Sequence, residues 1–254
     1  MRLICTPPLR GLRLPAVGAI LCVLCLFPSC KPNDDDDTGV KQCRISHISE
    51  LSGASFRTDY YFTYDAQNNI TSLVSSGQDS IEHKYQYIGA DVIIIRTTDS
   101  GRFLRNDSLL LDPNRRVINH RKSTNESGTQ FVNHSISYNA GGTVQQIIET
   151  NSAGGPPLIT TYTTTDGNVT ASSDGETYGY HPDQVYRDGD YWQIMQLLED
   201  GFVVFKNKNM LANIRKGTTF RNINYTYDAN GRTNLLTYNE STNTFQLRFE
   251  HFCF

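Results

Sequence analysis

From about residue 42 onward, apolar and polar residues alternate with the period of two that is typical of half-buried β-strands. Short segments that begin with Asp or Asn and continue with Gly or Asn interrupt this alternation. The clearest copies of this strand-turn-strand unit are residues 60–73 and 225–232, and weaker copies are residues 109–117, 136–144 and 162–169. Asp and Asn side chains cap tight turns, and Gly or Asn adopts the left-handed conformation that a hairpin needs. The pattern therefore predicts five hairpins, with turns that start at Asp65, Asp112, Asn139, Asp166 and Asp228.

The spacing of these units predicts how the strands connect. Neighbouring copies lie about two dozen residues apart, which is enough for two strands and their turns. Residues 85–95 fit a further hairpin between the first two copies. The sequence thus predicts one all-β domain over residues 42–254, folded as an antiparallel up-and-down β-meander that is strongly curved or closed into a barrel-like sheet.

One segment, near residues 190–200, breaks the strand pattern and predicts a short helix. Asp190 is placed as its N-cap and Gly201 as its C-terminal stop. Four apolar side chains fall on one face of this helix: Tyr191, Ile194, Met195 and Leu198. We expect this face to pack on the sheet or to plug one end of it. The aromatic residues at the start of the helix would also suit sugar stacking, but at helical spacing they more often belong to a core.

The first 29 residues have the three parts of a secretory signal peptide. Positive charges at positions 2, 10 and 13 precede an apolar run over residues 14–27, and the small residue Ser29 follows. The run is too short to predict a membrane-spanning helix. It ends in Phe27-Pro28-Ser29-Cys30, which resembles the lipobox of bacterial lipoproteins. We therefore expect cleavage before Cys30 and lipidation of its sulfur, and a secreted protein with a free Cys30 thiol is the alternative.

Residues 30–41 include a lysine and four consecutive aspartates, a composition that cannot form a packed core. This segment is predicted to be an acidic flexible tether. A lysine followed by acidic residues just after a lipidated cysteine also resembles the surface-export signal of Bacteroidota lipoproteins. That resemblance implies the outer leaflet of the outer membrane, with the domain at the cell surface.

Two further resemblances concern the folded part. Residues 225–232 read Tyr-Thr-Tyr-Asp-Ala-Asn-Gly-Arg, which resembles the YD repeat, a motif that builds long β-sheets. The chain after the signal also resembles a family of Bacteroidota lipoproteins of unknown function with a porin-like antiparallel β-fold, through the hairpins at Asp65 and Asp228, residues 207–214 and the lipidated start. This family implies architecture and envelope location, and it carries no catalytic residues.

Cys43 and Cys253 are the cysteines that remain after the predicted signal and lipidated cysteine. Export permits oxidation, so the two form a disulfide if the first and last strands are neighbours. Two unpaired thiols are the alternative.

Composition and motifs provide little evidence for a catalytic, metal-binding or nucleic-acid-binding function. The formal net charge is −3, which excludes the broad positive field of a nucleic-acid-binding protein. The six histidines are scattered singly, and we see no metal-ligand spacing, nucleophile turn or phosphate-binding loop. The sequence therefore predicts no catalytic residues, no metal site and no cofactor. Asp188, Asp190 and Glu199 are carboxylates whose pairing, as in a glycosidase, the sequence leaves open.

Two tripeptides, at residues 79–81 and 107–109, match the Asp-Ser/Thr-apolar motif at which Bacteroidota O-glycosylate exported proteins. Ser80 and Ser108 are therefore candidate modification sites, with unmodified serines as the alternative.

By elimination, the leading hypothesis is a lipid-anchored, surface-exposed envelope protein that acts as a noncatalytic module and binds a glycan, a peptide or another envelope protein. An integral outer-membrane β-barrel is the alternative, suggested by alternating phenylalanines at positions 249, 252 and 254. Polar stretches over residues 123–128 and 160–173 and a mean hydropathy of −0.44 favour a water-exposed fold over that alternative. A polysaccharide-active hydrolase is less favoured than either.

Overall fold

The computed structural model describes residues 42–52, 56–77, 80–240 and 243–254. The predicted signal peptide, Cys30 and the acidic tether lie outside the described residues. The elements are β1 (Cys43–Ser52), β2 (Phe56–Tyr64), β3 (Ile70–Ser76), β4 (Ile81–Ile88), β5 (Val92–Asp99), β6 (Arg102–Leu111), β7 (Val117–Ser123), β8 (Phe131–Tyr138), β9 (Val144–Asn151), β10 (Leu158–Thr165), β11 (Asn168–Ser172), β12 (Glu176–Val185), α1 (Tyr191–Glu199), β13 (Asn209–Lys216), β14 (Thr219–Tyr227), β15 (Thr233–Glu240) and β16 (Asn243–Cys253).

In the described residues, the sixteen strands form a closed antiparallel barrel. Each strand pairs with its neighbours in sequence, and β1 pairs with β16 to close the wall. The predicted all-β meander, its closure and the short helix near residues 190–200 are confirmed. At the closing seam Cys43 is in register with Cys253, and a disulfide joins the two.

The barrel has two ends with different contents. Successive strands of a meander alternate in direction, so turns that follow even-numbered strands lie together at one end. We call this the turn end, because all five predicted turns lie there. The first and last described residues also meet at the turn end, where the Phe254 amide donates to the Gln42 carbonyl at 3.0 Å. Turns that follow odd-numbered strands lie at the opposite end, the far end.

Four of the five predicted turns share one conformation. In the turn at Asp228, Oδ1 accepts the amides of Asn230 at 2.8 Å and Arg232 at 2.9 Å. The same pattern recurs at Asp65, Asp112 and Asn139. The hydrogen bond from the Arg232 guanidinium lowers the pKa of the Asp228 carboxyl. Asp166 differs because it begins a two-residue turn in which both Asp166 and Gly167 have positive φ.

The fourth residue of each shared turn has positive φ and provides a matched pair of substitutions. Gly231 stands there at φ 75°, and Arg115 occupies the equivalent position at φ 60°. The left-handed backbone conformation costs a residue other than glycine roughly 1–2 kcal/mol. We therefore expect Gly231→Ala to lower the free energy of unfolding by about 1 kcal/mol and Arg115→Gly to leave it unchanged or raise it, both measured by urea titration. Equal losses in the two variants would contradict the shared turn geometry.

The interior of the barrel is filled. Sixteen strands enclose a lumen too wide for wall side chains alone, as in porins. Here α1 enters from the turn end, and residues 202–208 return beside it to β13. Tyr191 and Ile194 of α1 are buried in a core with residues of the wall, and Phe205 packs against Trp192 at 4.5 Å between ring centroids. Because the helix is enclosed, Leu197, outside the predicted apolar face, is also buried.

The outer surface of the wall carries many polar and charged side chains, together with exposed apolar ones such as Ile88, Leu110 and Ile159. Outward side chains alternate with buried ones such as Phe62, Leu73 and Ile95. One outward row crosses β2 to β6 through Thr63, Ser72, Lys84, Arg96 and Asn106. A second row crosses β4 to β9 through Gln86, Ile94, Ser108, Arg121, Asn133 and Thr150. A third row crosses the closing seam, from β14 to β2, through Asn224, Thr237, Gln246, Leu51 and Arg57.

Candidate functional site

The sequence-predicted site residues lie apart from one another. Ser80 precedes β4 at the far end, and its hydroxyl donates to the Ser75 carbonyl at 3.2 Å. Ser108 faces outward from the middle of the wall, whereas Asp107 and Leu109 on either side of it are buried in the interior. Modification of Ser108 would therefore have to occur before the barrel forms. O-glycosylation at both serines stays a prediction.

The structure shows the surroundings of the three carboxylates whose glycosidase-like pairing the sequence leaves open. Asp190 is almost fully buried and accepts hydrogen bonds from the amides of Trp192 at 3.0 Å and Leu211 at 2.9 Å. Burial raises its pKa, and these hydrogen bonds oppose that shift. Asp188 lies at the surface and accepts from the Gln193 amide group at 3.1 Å. Burial, followed by the charge of the neighbouring Asp200, raises the pKa of Glu199 at the end of α1.

The structure brings together four titratable side chains inside the barrel that the sequence shows singly. His120 Nε2 lies 2.7 Å from Asp107 Oδ1, and His134 Nε2 lies 3.1 Å from Glu149 Oε2. The two Nδ1 atoms of the histidines lie 3.1 Å apart, and the rings are within 17° of parallel. We call these four residues the histidine relay: Asp107, His120, His134 and Glu149.

The histidine relay runs from the interior toward solvent at the far end. The exposed fractions of its side chains rise in order from 0% for Asp107 and 5% for His120 to 22% for His134 and 41% for Glu149. Both histidines line a cavity of about 250 Å³ together with Lys122, Asp200 and side chains of α1 and residues 202–205. Phe202 packs its ring edge against His120, with 4.6 Å between centroids. The cavity therefore places polar atoms of the relay beside apolar walls, as in small-ligand sites.

Charged neighbours surround the relay. Arg105 Nε donates to Asp107 Oδ2 at 2.9 Å, and its guanidinium also contacts the Glu199 carbonyl. Asp200 lies 3.5 Å from Arg105 and 3.4 Å from Lys122. Burial, with a further contribution from His120, lowers the pKa of His134, and the hydrogen bond to Glu149 opposes this. The four side chains of the relay thus form one continuous chain of polar contacts.

Sequence reasoning missed the histidine pair because it depends on strand register. His120 and His134 are direct partners across β7 and β8, and His134 is the direct partner of Glu149 across β8 and β9. The hairpin that joins β7 to β8 turns through residues 124–130, where Asn125 and Gly128 form a turn whose Asn-x-x-Gly pattern the sequence analysis did not single out. Counting alternate strand positions away from that turn, along β7 and along β8, would have placed both histidines on the inner face of the barrel.

The described part of the chain lacks both a metal-binding group of three side chains and a membrane-spanning helix. No group of three or more His, Cys, Asp or Glu side chains there is arranged to hold a metal ion. Among the same residues, we find no helix with the length and apolar character needed to span a membrane.

Comparisons with known proteins concern the fold. No protein-family model and no curated protein matches this chain. Among solved structures, it is similar to a porin-like protein from Bacteroides uniformis, with a TM-score of 0.57 and 10% sequence identity over 82% of this chain and 96% of that chain. The fold is porin-like. A porin-like protein from Bacteroides vulgatus gives a TM-score of 0.39 and 10% identity over 82% of this chain and 98% of its own.

The likeness confirms the predicted porin-like β-fold, and at this identity it concerns fold alone. The closed barrel and the porin-like fold also fit the outer-membrane barrel that the sequence left as the alternative. The lipoprotein assignment and the YD-repeat resemblance stay predictions.

Proposed function

We propose that this chain is a lipid-tethered protein of the outer membrane whose barrel stands in water at the cell surface and acts as a noncatalytic binding module. The observation that supports this proposal best is the polarity of the outer wall. Lys84, Arg96 and Arg121 project outward from the middle of the wall. A Lys or Arg on the lipid-facing side of a membrane barrel costs about 2–4 kcal/mol at the bilayer midplane. Water is therefore the better solvent for this surface.

The inside of the barrel supports the same proposal. A porin keeps a polar, water-filled lumen, whereas here α1 and residues 202–208 pack into apolar cores. The polarity of the barrel is therefore inverted relative to a membrane channel, because its apolar side chains face inward.

We propose an orientation for the domain from the position of its first described residue. Residue 42 leaves the barrel at the turn end, so a tether from Cys30 would hold that end toward the membrane. The far end, with the opening of the histidine relay cavity, would then face away from the membrane. We propose this end as the surface that receives a ligand, which could be a glycan, a peptide or another envelope protein.

An integral outer-membrane barrel is the second candidate. The closed sixteen-stranded wall and the porin-like fold favour it. It differs from the first candidate in what holds the protein at the membrane, which is the wall in one case and the acyl chain on Cys30 in the other.

The anchor is tested by labelling cells that express the full chain with a radioactive fatty acid. We expect label in the wild type and in Cys25→Ser, which changes a cysteine of the signal, and loss of all label in Cys30→Ser. Label that persists in Cys30→Ser, or is absent from the wild type, would contradict the anchor.

The two candidates are separated by exchanging residues 1–30 for a signal that is cleaved without lipidation. A tethered, water-exposed barrel then moves to the soluble periplasmic fraction, whereas an integral barrel stays in the outer membrane. A native outer-membrane porin of the same cells serves as the control for fractionation.

A further inference from the structure

The two Nδ1 atoms at the centre of the histidine relay face each other across a short gap. Asp107 accepts a hydrogen bond from the Arg105 guanidinium through Oδ2 and presents Oδ1 to His120 Nε2. Glu149, at the exposed end, presents a carboxylate oxygen to His134 Nε2. In the tautomers in which both histidines donate from Nε2 to these carboxylates, each Nδ1 carries a lone pair. Two Nδ1 lone pairs are then left 3.1 Å apart, an arrangement that is repulsive unless a cation lies between them.

We propose that this pair of Nδ1 atoms is a binding site for a divalent transition-metal ion such as Zn²⁺, with the remaining coordination positions open to the cavity. Zinc binds imidazole nitrogen at roughly 2.0–2.1 Å with tetrahedral angles, which places two ligand nitrogens about 3.3–3.4 Å apart. The observed separation of 3.1 Å is close to this value. Imidazole is a ligand that suits Zn²⁺, Ni²⁺ and Cu²⁺ alike.

The carboxylates of the relay occupy the positions that support histidine ligands in metal sites. A metal-bound histidine usually donates its other ring N–H to a carboxylate, which fixes the tautomer and raises the basicity of the ligating nitrogen. Asp107 and Glu149 do this for the two histidines, one from the interior and one from the rim. Both ligating nitrogens are thus prepared in the form that a metal requires.

The local charge also favours a cation. Apart from the two histidines, the charged side chains bonded to the relay or lining its cavity are two cations and three anions: Arg105, Lys122, Asp107, Glu149 and Asp200. The excess is one negative charge. The cavity beside the histidines has room for water or for a ligand atom at the open coordination positions.

Two histidines are fewer protein ligands than the four of a structural zinc site or the three of a catalytic one, so two coordination positions would be left to water or to a ligand. A proton shared between the two Nδ1 atoms is the competing occupant. Metal binding would displace it: the metal–nitrogen bonds form, the N–H bond breaks and the proton leaves to solvent. The number of protons released on binding therefore reports whether the metal enters between the rings.

The site is tested by isothermal titration calorimetry of the full mature protein, stripped with a chelator and titrated with ZnCl₂ alone. We expect one Zn²⁺ per chain and release of up to one proton, measured in buffers of different ionisation enthalpy. His120→Ala and His134→Ala should each weaken binding at least 100-fold. Glu149→Gln at the exposed rim, which leaves the interior packing intact, should weaken it at least 10-fold.

The control is His251→Ala, a partly buried histidine outside the relay. It should bind Zn²⁺ as the wild type does. Absence of binding to a folded wild-type barrel, or binding that His134→Ala and Glu149→Gln leave unchanged, would overturn the proposal and leave the shared proton as the occupant. Because the assay needs no membrane, its result is independent of whether the barrel is tethered or integral.

Discussion

Removal of the Cys43–Cys253 disulfide is expected to lower the free energy of unfolding by about 5 kcal/mol. The bond closes a loop with a sequence separation of 210 residues, and long loops gain the most from a crosslink because the unfolded chain loses the most conformational freedom. The two residues are in register at the seam between β1 and β16, so the bond also protects the pairing that closes the barrel. Urea unfolding of the oxidised full chain and of Cys43→Ser measures the loss.

Two controls isolate the crosslink from the side chains. The double variant Cys43→Ser with Cys253→Ser should lose no more stability than either single variant, because one bond is removed in every case. Reductant should destabilise the wild type and leave the double variant unchanged. A loss below about 1 kcal/mol, or single losses that add, would contradict the role of the seam bond.

Asp190→Ala is expected to cost about 2–4 kcal/mol and to release α1 from its place inside the barrel. The Asp190 carboxylate caps the helix through the Trp192 amide and also accepts from Leu211 of β13 and from the Tyr225 hydroxyl of β14. Its loss removes the cap and leaves a buried amide of the wall without its acceptor. A helix cap contributes roughly 1 kcal/mol, and a buried unsatisfied group costs roughly 1–3 kcal/mol.

The single tryptophan reports this change directly, because Trp192 lies on α1 and packs against Tyr178 with 4.6 Å between ring centroids. Its fluorescence should shift to longer wavelength in Asp190→Ala as the helix loosens. Asp188→Ala removes an exposed carboxylate two residues earlier and should change stability by less than about 1 kcal/mol. If both variants behave alike, Asp190 does not hold the helix in the barrel.

The sequence predicts most of this fold because its signals are local. Each shared turn is specified by an Asp or Asn whose side chain bonds amides two and four residues on, so Asp65, Asp112, Asn139 and Asp228 identify their hairpins without knowledge of the rest of the chain. Strand alternation then fixes which side chains point inward. The helix is equally local, since Asp190 and Gly201 mark its ends.

The interior could not be predicted in the same way. Whether β1 meets β16 depends on the cumulative twist and tilt of every strand between them, and the sequence could only suggest closure from Cys43 and Cys253. The placement of residues 202–208 inside the lumen follows from the barrel's width, which depends on strand number. The candidate site was missed for a related reason, because His120 and His134 become neighbours only through the register of β7 and β8.

We propose that the wall of this barrel faces water and that only an acyl chain holds the protein at the membrane. The most direct measurement is the fraction of protein found in the detergent-free periplasmic extract after residues 1–30 are exchanged for a cleaved, non-lipidated signal. We expect nearly all of the folded protein, with its β-sheet circular dichroism intact, to move into that extract. Retention in the outer membrane after an alkaline wash, beside the porin control, would show that the wall itself lies in the bilayer.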